Sequence, residues 1–215
     1  MKKALHHITQ YCTEHTSLPS TVLHELERET WLKTLAPQML SGHLQGQLFR
    51  FLSQMIRPRN VLEIGTFTGY TAICLAAGLP AGGQLHTVEV NEELEYLIRK
   101  YIQKADLTEK IQLHIGSAKD IVPNLDAQLV FDLVFIDAGK KDNDYYYELA
   151  LARIPAGAYI LIDNVLWDGK VAQKGTNDHD TRTIHGFNEK VQADERVENL
   201  MLPIRDGVLL VRKLG

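Results

Sequence analysis

Two short stretches hold the residues best suited to chemistry: Asp137-Ala138-Gly139-Lys140-Lys141 and Asp163-Asn164-Val165. Each follows an apolar run, Phe131 to Ile136 and Ala158 to Ile162, that reads as a buried strand of a parallel sheet. In open α/β sheets ligands bind beyond the carboxyl ends of the strands. Neighbouring strands would bring Asp137, Asp163 and Asn164 to one rim, giving two carboxylates and one amide oxygen. All-oxygen ligation with few protein ligands suits Mg²⁺ and suits zinc poorly. Either Asp alone is more often a loop cap; two of them beside an amide and a lysine point to a divalent metal.

Three earlier strand ends add a cofactor. Glu63-Ile64-Gly65-Thr66-Phe67-Thr68-Gly69-Tyr70-Thr71 is a glycine-containing turn that opens a helix, where glycine permits close backbone approach to a ligand. Glu89 closes the next strand roughly twenty residues on, where an acid can grip ribose hydroxyls. The small residues Gly116-Ser117-Ala118 end the third and could admit an adenine ring. The turn departs from G-x-G-x-x-G, with Thr and Phe where glycines should pack on a pyrophosphate, so a nicotinamide cofactor is disfavoured. Acidic Glu63 would repel a diphosphate and suit positive sulfonium and amino groups, which favours S-adenosylmethionine.

These residues need a scaffold. From Asn60 onward short β-rich runs alternate with amphipathic helices, the pattern of βαβ units. Strands are expected at Val61 to Ile64, Gln84 to Glu89, Ile111 to Ile115, Phe131 to Ile136 and Ala158 to Ile162. Helices are expected near Thr71 to Ala77, Glu92 to Ala105, Ala118 to Pro123 and Asp144 to Arg153. Val208 to Val211 lies too close to Asn199 to Leu202 for a helical crossover, so an antiparallel pair at the sheet edge is expected. Ahead of this core come helices carrying Leu5, Ile8 and Tyr11, then Leu23, Leu26 and Trp31 behind Ser20-Thr21, then Leu44, Leu48, Phe51, Leu52 and Met55 up to Pro58.

Composition narrows the classes, demoting nucleic-acid binding without excluding it. The 215 residues, 45% hydrophobic and 23% charged, fit one ordinary soluble domain. Lys+Arg 23 against Asp+Glu 27 leaves a net charge of −4, without the basic stripe of a duplex binder. Cys12 and Cys74 have no paired spacing, which fits a reducing cytoplasm. The start lacks the apolar core of a signal peptide, and no run reaches the ~18 apolar residues of a membrane span.

Taken together, Glu63-Ile64-Gly65 through Tyr70, Glu89, Asp137-x-x-Lys140, Asp163-Asn164-Val165-Leu166-Trp167 and the closing strands resemble the cation-dependent, S-adenosylmethionine-dependent O-methyltransferases, which include caffeoyl-CoA and catechol O-methyltransferases. The resemblance runs from about Met39 to the end of the chain. It implies a Rossmann-like class I methyltransferase fold: a seven-stranded, mostly parallel sheet with one antiparallel strand and helices on both faces. Residues 1–57 would form a helical N-terminal extension and 58–215 the core. The resemblance further assigns Asp137, Asp163 and Asn164 to Mg²⁺, or to Mn²⁺ or Ca²⁺ in its place, and Lys140 to the general base. Glu89 would hold the ribose, with Glu63, Gly65, Phe67, Tyr70 and Thr71 around the cofactor body and Asp137 touching both groups. Met39 and Ser41 would lie over the cofactor near the sulfonium, and Ala118 beside the adenine; Lys119 stands where some members carry Gln.

The chemistry expected is methyl transfer to a hydroxyl of a vicinal dihydroxy aromatic, such as a catechol or caffeoyl-type phenol. Two substrate oxygens would chelate the cation while Lys140 removes a proton. Lys141 is the rival base but lies one residue out of the family position, and His43, His179 and His185 lack metal-pair spacing. Tyr145-Tyr146-Tyr147 reads as helix packing, and Trp167 either stacks on an acceptor or anchors the core. Trp167 to Val171 and the polar stretch Ala172 to Arg182 read as a loop beside the metal, able to shape an acceptor pocket. The alternative acceptor is 5-hydroxyuridine at a transfer-RNA wobble position, served by Lys140, Lys141, Lys170, Lys174 and Arg182. A non-catalytic cofactor module and a nicotinamide oxidoreductase rank lower, and relatives suggest a homodimer.

Overall fold

The computed structural model describes the backbone of residues 2–173, 175 and 178–215, and side chains from His7 onward. Three helices, α1 (Lys2–Glu14), α2 (Thr21–Lys33) and α3 (Gly42–Ile56), precede β1 (Asn60–Ile64). The chain then alternates through α4 (Tyr70–Ala76), β2 (Gln84–Glu89), α5 (Glu95–Lys104), β3 (Ile111–Ile115), α6 (Ala118–Asn124), β4 (Leu133–Ile136), α7 (Asn143–Arg153) and β5 (Tyr159–Asp163). It ends with α8 (His179–Ala193), β6 (Val197–Leu202) and β7 (Val208–Lys213).

The seven strands form one sheet of order β3-β2-β1-β4-β5-β7-β6. β1 to β5 pair in parallel, while β7 inserts antiparallel to both β5 and β6, which leaves β6 at the edge. This is the Rossmann-like arrangement expected, with the closing pair packed so that only its first member is peripheral.

Strand alternation explains how both faces are covered. Leu62 and Ile64, Val134 and Ile136, and Ile160 and Ile162 pack beneath α6, α7 and α8. Their neighbours Val61, Leu133, Phe135 and Leu161 pack beneath α3, α4 and α5. α4 therefore leaves β1 toward one face and α7 leaves β4 toward the other. A crevice opens at the carboxyl ends of these adjacent strands, the position where such sheets bind ligands.

The N-terminal helices are docked on this core. Ser20 caps α2, its Oγ accepting from Leu23 N, and Leu23 and Leu26 bury against Tyr70, Ile73, Leu97 and Tyr101. Glu29 accepts from Lys100 at 2.5 Å, Lys33 at 2.7 Å and the Tyr101 hydroxyl at 2.7 Å, and these bonds hold its carboxyl down at about 2. α3 is helical as its spacing predicts, but its buried face is another one. Gln45, Gly46, Phe49 and Ser53 are buried, whereas Phe51 and Met55 are exposed. The reason is close packing on α4 and on β4 beneath it: Ser53 Oγ donates to Leu75 O of α4 at 2.5 Å, and Phe49 meets Phe135 of β4 edge-on at 4.9 Å. Burying an aromatic side chain of this kind stabilises by roughly 1.5–3 kcal/mol.

A second correction concerns the polar stretch after β5. A short 3₁₀ turn spans Lys170–Ala172, and α8 begins at His179, so Arg182 is helical rather than part of a loop. Asp178 starts the helix by accepting from Thr181 N at 3.0 Å, and Ile184, Phe187 and Val191 then supply a buried face. Lys174 lies outside the described residues. Among the described residues no helix is long and apolar enough to cross a membrane, and Cys12 and Cys74 are free thiols.

Candidate active site

The β1–β4 crevice widens into a cavity of about 1150 Å³. Asp137, at the end of β4, and Asp163 with Asn164, at the end of β5, share its wall with Lys140. Lys140 Nζ donates to Asp137 Oδ1 at 3.1 Å from the 3₁₀ turn that opens α7. Asp163 is buried at 4% exposure; its Oδ2 accepts from Gln45 Nε2 and its Oδ1 from Asn164 N, both at 2.8 Å. Burial, and then the negative charge of Asp137, hold the Asp163 carboxyl above the usual range, against those hydrogen bonds and Lys140.

This donor set fits a hard divalent cation. Two carboxylates that repel one another face a cavity beside an amide, and Gln45 Oε1 is a buried acceptor without a protein donor. Among the described residues no three His, Cys, Asp or Glu side chains gather into a metal cluster, so the candidate set rests on the two carboxylates and the amide.

The cofactor side is built from the glycine turn. Gly65 has φ +98°, and a Cβ there would lie 2.0 Å from the Asp137 carbonyl oxygen, so only glycine lets β1 and β4 approach this closely. Glu89 spans the turn: Oε2 accepts from Phe67 N at 2.7 Å and Oε1 from Asn91 N at 2.9 Å. Those bonds fix the carboxylate at the cavity wall with lone pairs to spare. Met39, Phe67 and Ala118 line the same cavity. Ser41, Tyr70 and Thr71 line a small recess adjoining it, which Met39, Gly65 and Asp137 also border, and Ser41 Oγ and Thr71 Oγ1 lie 2.7 Å apart. The residues present thus offer a carboxylate for ribose hydroxyls, a glycine cradle and a small-residue end for a base.

Glu63 is the residue the structure does not bring to this wall. It is fully buried in β1 and borders neither cavity; Thr87 Oγ1 donates to its Oε2 at 2.5 Å, and Oε1 has no partner. Burial pushes its carboxyl up to about 8, against the Thr87 hydrogen bond and helped by Asp137 and Glu89. The sequence argument gave Glu63 a charge that the fold withholds near neutral pH. Its reach toward the cavity is indirect, because Thr87 Oγ1 also contacts Thr66 Oγ1 at 2.5 Å.

The remaining sequence candidates separate clearly. Lys141 is exposed, and His179 and His185 are exposed beside Asp180 and Glu189. Tyr147 is buried and donates to Asp194 Oδ2 at 2.9 Å, while Tyr146 reaches the cavity wall. Trp167 lines the cavity, with φ +51° and Lys170 Nζ 5.9 Å from its ring centre, so it is no core anchor. Three wall or support residues went unread in the sequence: Gln45, Arg205 and Asp206. Gln45 could have been found as a polar residue in register with Phe49 and Ser53 on the inner face of α3.

Comparison with known proteins agrees with this geometry. The model of a family described as O-methyltransferase matches residues 13–214. A probable caffeoyl-CoA O-methyltransferase of Dictyostelium discoideum is 34% identical over 97% of this chain and 92% of its own. A catechol O-methyltransferase of Niastella koreensis is 34% identical over 74% of this chain and 72% of its own. The O-methyltransferase from Bacillus cereus, solved in complex with SAH, superposes with a TM-score of 0.86 at 32% identity, over 96% of this chain and 97% of that one. With the fold, the crevice and these matches in agreement, the chain belongs to the O-methyltransferase family and is an enzyme of that class.

Proposed function

We propose that the protein transfers a methyl group from S-adenosylmethionine to one hydroxyl of a vicinal dihydroxy aromatic, with the help of a divalent cation such as Mg²⁺. The observation that carries this reading is the convergence of Asp137, Lys140, Asp163 and Asn164 on the cavity that Glu89, Gly65 and Ala118 also line. When bound, the cofactor supplies the methyl group and the cation stabilises an aryloxide. Asp137, Asp163 and Asn164 would hold the cation, and Gln45 keeps Asp163 in place. Glu89 accepts from the ribose hydroxyls, and Met39 with Ser41 covers the cofactor from the segment before α3.

Lys140, in its neutral amine form, would take the proton from the reacting hydroxyl. Its amine sits at the cavity wall, only partly exposed, and is held there by Asp137. Trp167 offers an aromatic face on the same side for a planar acceptor. Lys140→Ala is expected to lower kcat by on the order of 10²- to 10⁴-fold, while calorimetry shows S-adenosylhomocysteine bound nearly as before. Equal losses in turnover and cofactor affinity would remove Lys140 from the base role. We further propose that the chain acts in the cytoplasm as a homodimer, paired through apolar side chains that its N-terminal helices leave exposed.

A further inference from the structure

The turn between β6 and β7 packs against the loop that follows β5. Leu166 N donates to Asp206 O at 2.8 Å and Val165 N to Gly207 O at 3.4 Å. Gly207 has φ +87°, and a Cβ there would fall 2.4 Å from Leu166 Cγ, so this docking excludes any side chain at that position. The loop itself is bent through left-handed backbone at Asn164, Trp167 and Asp168, a conformation that needs outside support.

Asp206 supplies that support with both carboxylate oxygens. Oδ1 accepts from Asp168 N, and Oδ2 accepts from Asn164 Nδ2 at 3.5 Å. An ionised carboxylate only accepts, so Asn164 must turn its NH₂ toward Asp206. The planar amide then presents its oxygen on the opposite side, and Asn164 is part of the cavity wall. The next residue, Arg205, reaches the other way and donates to Leu40 O and, at 3.1 Å, to Gln38 O in the segment that carries Met39.

We propose that Asp206 is a positioning residue: it selects which end of the Asn164 amide faces the candidate cation site. The inference rests on the metal reading above. It acts through Asn164 and touches no substrate, and partners of metal ligands commonly set affinity in this way.

The test is direct Mn²⁺ binding, read from the electron paramagnetic resonance of free Mn²⁺ in the presence of S-adenosylhomocysteine. Asp206→Asn, whose amide can either donate or accept, is expected to weaken Mn²⁺ binding by ~10- to 100-fold with calorimetric affinity for S-adenosylhomocysteine held within about twofold. Pro203→Ala alters the same turn but keeps the carboxylate and lies outside the cavity wall, and should bind Mn²⁺ as the parent protein does. The exchange Asn164→Asp with Asp206→Asn again sets a donor against an acceptor, and should bind Mn²⁺ more tightly than Asn164→Asp alone. This last comparison decides the matter if Asp206→Asn does not fold. Parent-like Mn²⁺ binding in Asp206→Asn, an equal loss in Pro203→Ala, or no rescue in the exchange would each overturn the proposal. Failure of the parent protein to bind Mn²⁺ would overturn the metal reading itself, and the proposal with it.

Discussion

Glu63 lies beneath the glycine turn with one oxygen bonded to Thr87 and the other without a partner. Its carboxyl is raised to about 8 by burial, so the folded chain holds a proton there that the unfolded chain has released above about 4.5. The stability this contributes is fully present below about 4.5 and is lost as pH rises through about 8. In the cofactor-free protein the urea midpoint should therefore fall between about pH 6 and pH 9, and Glu63→Gln should flatten that fall. Equal losses in both proteins would show that Glu63 is not the titrating group. The residue also marks the boundary of sequence reading. Asp137, Lys140, Asp163, Asn164 and Glu89 were legible because strand ends place them at one rim whatever the packing. The charge on Glu63 was not, because it depends on which face of β1 is sealed.

At the scale of elements, the βαβ alternation was legible because buried parallel strands such as Leu133–Ile136 and Tyr159–Asp163 are apolar on both faces and bounded by turns. β2 and β3 begin and end where their residues predict. α3 was legible as a helix but its inner face was not, since contact with α4 is made through Gln45, Gly46 and Ser53 rather than through the larger apolar residues. α8 was missed because its first turn, His179 to Arg182, is polar; the Asp178 cap and the spacing of Ile184, Phe187 and Val191 were its signals. The role of the β6–β7 turn was hidden for a different reason. Asp206 meets Asn164 from a distant part of the chain, and no local pattern encodes that contact.

At the scale of the whole molecule, the N-terminal helices leave Ile8, Tyr11, Trp31, Leu32, Phe51 and Met55 exposed on a chain of net charge −4. Exposed apolar side chains on these helices are what the proposed pairing would cover. Light scattering is expected to report about twice the 24.3 kDa chain mass, and a species of 24.3 kDa alone would contradict pairing. The overall charge also bears on the acceptor, because a small neutral or aromatic diol needs no basic surface whereas a transfer RNA does. Of the basic residues considered for RNA, Lys140 is paired with Asp137 and Lys170 lies over Trp167.

The measurement that bears most directly on the account is transfer of labelled methyl from S-adenosylmethionine to 3,4-dihydroxy aromatic acceptors, run with Mg²⁺ and again with EDTA. The account predicts product with Mg²⁺ and its loss with EDTA, restored when Mg²⁺ is added back. Transfer that proceeds equally well in EDTA, or no transfer to any vicinal diol by protein that binds S-adenosylhomocysteine, would contradict it.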